Sequence, residues 1–411
     1  YHVFAVLVFA AGMAVLPFIH LFMKNNSYSL SYIRVLYAMW LVRTVLSYLL
    51  TYRKSLLIAD QKEYIASITG LILNVVSYLA IILLVTWEQN YLLALGIGTV
   101  TEVVLNIWIS WYVEQKYPFL RQRRKEKSTS SLTKRIVRDL KSLFISRISE
   151  KMLYCTDNLI ISGFIGVGTV GRYANYCMIT QAISNILTIL ANTIQPTVGD
   201  YFTEKNRQRN YEILRQLTFG FFCIASVVSV GLFSLITPFV RDIWLGPSYE
   251  LGWGITVFCI VVLLVRIMGL PLSLVMGVTG LFEKEKNVGA SSALLNLIVS
   301  LALVKPYGMA GVLLGTLLSY LLQILYRYII YFRDLLEMPG EARRYAQDIG
   351  EYLAVIAGEV LLMQKIVPLI YGAGGMLLFC VCFLLCIAIP LLLDLVIFGR
   401  GWRLQSIVTM V

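Results

Sequence analysis

Residues 142–164 read SLFISRISEKMLYCTDNLIISGF, and this stretch decides what kind of fold the chain adopts. It is long enough to cross the hydrocarbon core of a bilayer as a helix, which takes about 20 residues. Yet Arg147, Glu150, Lys151, Tyr154, Asp157 and Asn158 recur at spacings of 3, 4, 7, 10 and 11, and so share one helical face. Ile148, Met152, Leu153, Leu159 and Ile160 occupy the opposite face. A membrane helix with a polar stripe along its whole length cannot turn that stripe to lipid. It must line water or a partner helix, so the chain is a bundle of membrane helices with polar surface inside. Two readings of the stripe stand side by side: a wall of a hydrated central cleft, or a self-compensating ladder in which Glu150 pairs with Arg147 and Lys151.

The rest of the chain has the same character. Of 411 residues, 58% are hydrophobic and only 14% charged, and the mean hydropathy is +0.76. A soluble protein has about 45–50% apolar and about 25% charged residues. That difference excludes a water-soluble globular fold, a disordered chain, a fibrous repeat and a secreted disulfide scaffold. The seven cysteines (155, 177, 223, 259, 380, 382 and 386) are odd in number and unevenly spaced in apolar stretches, which points to reduced thiols. Only His2 and His20 are present, so histidine catalysis and a histidine-ligated metal are not expected.

Apolar windows place about twelve spans at 2–23, 31–51, 64–86, 91–113, 142–164, 170–194, 216–240, 252–279, 287–304, 308–331, 348–369 and 374–398. Taking alternate connections, one set holds 24 of the 35 Lys and Arg residues. The other set holds Lys24, Arg241, Lys305 and Lys365. Cytoplasmic loops collect Lys and Arg, so the first set and the C-terminus are expected in the cytoplasm of a multi-pass membrane protein. The first window then runs from inside to outside, and spans preceding it would come in an even number.

Seven basic residues lie in or beside the spans, where an ionised group costs about 2.5–3.5 kcal/mol on insertion scales. Arg34, Arg172 and Arg327 are near span ends and can snorkel. Arg147 and Lys151 are on the striped helix. Arg43 and Arg266 are near the centres of their spans, as is the acid Glu102. For these three, a role in a cavity and a buried structural ion pair are both open.

The segment from Gln122 to Lys141, with Arg123, Arg124, Lys125 and Lys127 ahead of a Ser-Thr-Ser-Ser run, is the one long charged break. It divides the chain into two bundles. Residues 58–79 align without gaps to 280–301, with Lys62/Lys284, Glu63/Glu285, Leu73/Leu295, Asn74/Asn296 and Leu79/Leu301 identical. Both segments begin as basic-side loops and enter an outward-running helix, as a repeated lobe requires. There is no Walker A sequence, no Cys/His metal spacing and no large outer loop; the longest outer connection is around Arg241–Leu251. A binding-and-translocation machine fits these features better than an enzyme.

The run Thr156–Ala174 (TDNLIISGFIGVGTVGRYA) resembles the signature of the polysaccharide, or O-antigen type, flippases of the multidrug/oligosaccharidyl-lipid/polysaccharide exporter superfamily. Similar in kind are Pro238-Phe239-Val240 with Ile243-Trp244-Leu245-Gly246, the run Gly280–Lys284, and Tyr307–Val312 followed by Leu314-Gly315-Thr316. The resemblance covers the chain in order. It implies an all-α, MATE-like two-lobe bundle of fourteen helices, of which this chain would supply helices 3 to 14. On that pattern 1–118 is the N-lobe, 119–139 a basic cytoplasmic linker, 140–333 a six-helix C-lobe, and 334–411 two extra helices and a tail.

The resemblance also implies the activity: flipping an undecaprenyl-diphosphate-linked oligosaccharide to the outer leaflet by alternating access. Arg43, Arg147, Lys151 and Arg266 are then candidate cations for the diphosphate and sugar, since guanidinium forks bind phosphate bidentately. Glu102, Glu150 and Asp157 are candidates for ion coupling or for partners of those cations. No cofactor and no metal are expected beyond a coupling H+ or Na+. The expected partners are the lipid-linked substrate, a polysaccharide polymerase and glycosyltransferases, and not nucleic acid. A drug or metabolite antiporter of the same superfamily, a glycan polymerase or ligase, and a non-transporting scaffold are the alternatives.

Overall fold

In lipid every backbone N–H and C=O must be satisfied within its own segment, so long apolar windows become helices. A computed structural model describes residues 2–23, 28–50, 53–60, 62–88, 90–118, 155–202, 206–279, 282–372 and 374–399, and these are almost all helical. The chain divides into two compact units, Tyr1–Lys134 and Arg135–Val411.

In the first unit, α1 (His2–Val15) gives way to a 3-10 turn over Leu16–Phe22, where Pro17 removes a backbone donor from the helical ladder. α2 (Leu30–Leu50) packs on both α1 and α5, and a short α3 (Lys54–Ala59) leads into α4 (Glu63–Glu88). α5 (Tyr91–Lys116) starts at Asn90, whose side-chain oxygen accepts the Leu92 N–H at 3.0 Å, a helix N-cap. α3 lies across α4 and α5, and Leu57, Ala66, Ile109 and Val113 form a small core there.

The second unit begins, among the described residues, with α6 (155–164). Residues 142–154 of the striped helix and the basic segment 119–139 lie outside the described residues. α7 (Val167–Phe202), α8 (Arg207–Pro238, extended by a π-helical turn over Phe239–Trp244) and α9 (Trp253–Val278) follow. Next come α10 (Phe282–Tyr307), α11 (Met309–Ile329, with a π-helical turn over Ile330–Leu336), α12 (Pro339–Tyr371) and α13 (Met376–Phe398). α9 is the hub: it packs against α7, α8 and α11, while α10 pairs with α11, and α8 also packs against α12 and α13.

Ten of the described helices are long and apolar enough to cross a membrane. Of the twelve expected spans, the one at 31–51 corresponds to α2, a helix of 21 residues that is not among these ten. The described part of α6 is too short to count.

Two connections expected from hydropathy are mostly helix. The stretch 195–215 is occupied by the end of α7 and the start of α8, and 332–347 by the π turn and the start of α12. Hydropathy marks where lipid is, whereas a helical ladder continues into water when caps and packing support it. Asn206 caps α8 by accepting the Arg209 N–H at 3.2 Å. Tyr211, Leu214, Tyr331, Phe332 and Tyr345 belong to one buried cluster that packs these helix ends together. Arg215 grips Asp348 with two hydrogen bonds, Nε to Oδ2 at 2.6 Å and Nη2 to Oδ1 at 3.0 Å, fastening α8 to α12.

Candidate functional site: an oxygen cluster and a mid-span cavity in the second unit

Gly311 and Gly315, four residues apart on α11, let this helix approach α10 closely, as small residues do in membrane helix pairs. A Cβ at Gly315 would meet the Ser300 hydroxyl, and would lie 3.1 Å from the Asn296 carbonyl oxygen and the Ser300 nitrogen; one at Gly311 would strike the Leu303 carbonyl. This contact is between backbones, so only glycine permits it.

The close approach brings Thr316 of α11 beside Asn296 of α10, and both meet Asp157 of α6. The Thr316 hydroxyl donates to Asp157 Oδ2 at 2.6 Å, and Asn296 Nδ2 reaches Thr316 Oγ1 at 2.8 Å and Asp157 Oδ1 at 3.4 Å. Asp157 is 4% exposed and Asn296 fully buried. Asn296 Oδ1 has no hydrogen-bond partner. The Val312 carbonyl closes one side by accepting the Ser300 hydroxyl at 3.2 Å. Asp157 is thus largely buried, with two neutral partners and an excess of acceptor oxygens. Such a set holds a proton or a small hard cation and does not suit a soft metal.

The cluster opens onto a cavity of about 80 Å³ between α6, α7, α9 and α11. Asp157 and Thr316 form one wall, Tyr173 and Gln181 another, and Arg266 of α9 a third. This space suits an ion and a few waters and is far too small for a sugar chain. Two residues picked out by sequence, Asp157 and Arg266, therefore share one cavity.

Arg43 and Glu102 meet each other in the first unit. Arg43 Nε donates to Glu102 Oε2 at 2.6 Å, linking α2 to α5, with the guanidinium 5.1 Å from the Trp40 ring centre. Both side chains remain about 30% exposed. Glu102 is thus the charge partner of Arg43. Arg147, Glu150 and Lys151 lie outside the described residues.

Four residues escaped the sequence reasoning. Asn296 drew notice only as a repeat identity, and its counterpart Asn74 on α4 is exposed. Thr316 appeared only within a family motif. Glu359 and Asp394, both buried, were passed over, although an acid inside the windows 348–369 and 374–398 was as strong a signal as Glu102.

Residues 2–202 match the family model of the polysaccharide biosynthesis proteins. Among solved structures the chain is similar to "Lipid II flippase MurJ, inward closed conformation", with a TM-score of 0.64 and 15% identity over 96% of this chain and 82% of that one. No curated protein sequence matches it. The structural likeness shows the fold, a multi-pass bundle of membrane helices. The family match adds its weight to the resemblance that the motifs carry, to polysaccharide-type flippases of lipid-linked oligosaccharide.

Proposed function

We propose that this chain is a flippase that moves an undecaprenyl-diphosphate-linked oligosaccharide from the cytoplasmic to the outer leaflet by alternating access, and that it is not an enzyme. The match of residues 2–202 to the polysaccharide biosynthesis family is the observation that carries this reading. The bias of 24 of 35 basic residues to one set of connections supports placing that set in the cytoplasm of a bacterial cell.

In this reading the Asp157, Asn296 and Thr316 cluster is the coupling site, taking H+ or Na+. Its cavity suits an ion and excludes a sugar, so the glycan requires the protein to open further. Arg266, on the wall of that cavity, is the second unit's cation for the diphosphate, and Arg43 is the first unit's. Arg147 and Lys151 keep the head-group role assigned from their helical face, with Glu150 as their charge partner. A cation bound more tightly in one state than the other supplies the differential affinity that any ligand-driven switch requires.

The test is transport by the purified protein in liposomes. A fluorescent undecaprenyl-diphosphate oligosaccharide is loaded in both leaflets, and its accessibility to a membrane-impermeant quencher is followed. Wild type should exchange the label between leaflets, and Arg266→Ala should slow exchange at least about tenfold while inserting normally. Exchange no faster than in protein-free liposomes would refute the flippase reading.

A further inference from the structure

Two more carboxylates lie buried where α8, α12 and α13 meet, on helices other than those that carry Asp157. Glu359 of α12 and Asp394 of α13 are each 3% exposed. The Ser226 hydroxyl of α8 donates to Glu359 Oε2 at 2.5 Å. Glu359 Oε1, both carboxylate oxygens of Asp394, and the hydroxyl of Ser229 have no hydrogen-bond partner. Ser229 lies one turn along α8 from Ser226 and is 1% exposed. Neither acid has a basic partner among the described residues, and the two are within electrostatic range of each other. Among the described residues, the other titratable groups along these helix contacts include Cys223 of α8, Tyr352 of α12, and Cys382 and Cys386 of α13.

One side of the junction is closed by aromatic rings. Phe222 is one turn from Ser226, and Phe398 is one turn from Asp394. Phe222 stacks on Tyr352 with ring centres 4.4 Å apart, and Phe398 meets Phe222 edge-on at 5.5 Å. Phe219 completes the group, 5.8 Å from Phe222 and 5.6 Å from Phe398. All four rings are buried. With both acids 3% exposed and one side closed by rings, this is a poorly hydrated place where acceptor oxygens outnumber donors. A buried carboxylate without a partner is strongly unfavourable, so something positive belongs there. A proton turns one oxygen into a donor and leaves the others as they are. A desolvated hard cation gathers several oxygens at once.

We propose that Asp394 and Glu359, with the Ser226 hydroxyl, form a binding site for a hard cation, tested here as Na+, at the junction of α8, α12 and α13. This site is separate from the Asp157 cluster and ties the last two helices to the core of the second unit. Its occupancy governs how firmly α13 is held.

The experiment is 22Na+ binding to the purified full chain in detergent, which reads the ion and not transport, so its outcome is independent of the flippase reading. Asp157→Asn is the background, removing the other cluster's charge. It should still bind Na+, and Asp157→Asn/Asp394→Asn should not. Ser226→Ala in the Asp157→Asn background, the mildest change, should weaken binding about tenfold. In the wild type, NaCl should raise the thermal midpoint over choline chloride at equal ionic strength, and part of that rise should persist in Asp157→Asn. Equal 22Na+ binding by Asp157→Asn and its Asp394→Asn derivative would overturn the proposal. So would full reproduction of the Na+ stabilisation by lowering the pH in choline, which would make the junction a proton site.

Discussion

Arg43 donates to Glu102 at 2.6 Å, so the two mid-span charges of the first unit neutralise each other across the contact of α2 with α5. Because both stay partly exposed, their coupling is modest. A double-mutant cycle with Arg43→Gln and Glu102→Gln should return a coupling of about 1 kcal/mol in unfolding experiments. The swap Arg43→Glu/Glu102→Arg should recover stability without recovering transport, since it moves the cation to another helix. Full transport by the swapped protein would reduce Arg43 to a structural partner.

Thr316 is the hinge of the Asp157 cluster, as donor to the acid and acceptor from Asn296. Thr316→Val keeps the volume and leaves both partners without this hydrogen bond in a largely buried site. It should destabilise the protein by about 1–3 kcal/mol, whereas Thr316→Ser should be nearly silent. Thermal unfolding in detergent separates the two, and equal midpoints for both variants would contradict the hydrogen-bond geometry.

Arg215 and Asp348 form a bidentate pair, with side chains 20% and 9% exposed, that clamps the extended start of α8 to α12. Asp348→Ala removes the carboxylate partner of the partly buried Arg215 guanidinium, and should cost about 3 kcal/mol. Replacing both together, Arg215→Met/Asp348→Leu, should recover most of that loss, because an apolar pair needs no desolvation of charge. Chemical denaturation of the three variants checks the order. A double variant less stable than Asp348→Ala would show that the ions themselves are required.

At the turn between α3 and α4, Asp60 accepts from Lys62 and, at 2.5 Å, from the Tyr117 hydroxyl that follows α5. The Lys62 hydrogen bond first, and the Tyr117 hydrogen bond second, hold the Asp60 carboxyl below its ordinary range. A depressed carboxylate contributes stability that is complete above its unfolded pKa of about 3.9 and lost as pH falls through the folded value. The link from Tyr117 to the α3–α4 turn should hold at neutral pH and open in acid below about pH 4. The protection factors of the amides in the last turn of α5, corrected for the intrinsic pH dependence of exchange, should fall over that window, and Asp60→Asn should show the lower protection at all pH values. A flat profile in the wild type would remove Asp60 from this role.

Much of the molecule was legible in one dimension because lipid imposes a one-dimensional rule. A window such as 374–398 must be a helix, and α13 spans Met376–Phe398 within it. Depth within a span follows from counting, and so Arg43, Glu102, Asp157 and Arg266 could be singled out from sequence. Counting stops at the bilayer edge, which is why the helical ends that carry Asn206, Arg215 and Pro339 were expected as loops.

Partnership is a different matter. Asp157 is separated by 139 residues from Asn296 and by 159 from Thr316. No periodicity within one helix states which face of another it will meet. That was decided by the backbone contact at Gly311 and Gly315, which fixes how α11 lies on α10. The same holds for Glu359 and Asp394, two isolated acids in sequence that packing on α8 makes neighbours. The amino-acid order by itself determined the helices, their depth and the sign of their charges, because each depends on transferring single residues from water to lipid. Only the tertiary structure decided which charges meet, because that depends on close packing between segments that share no local order.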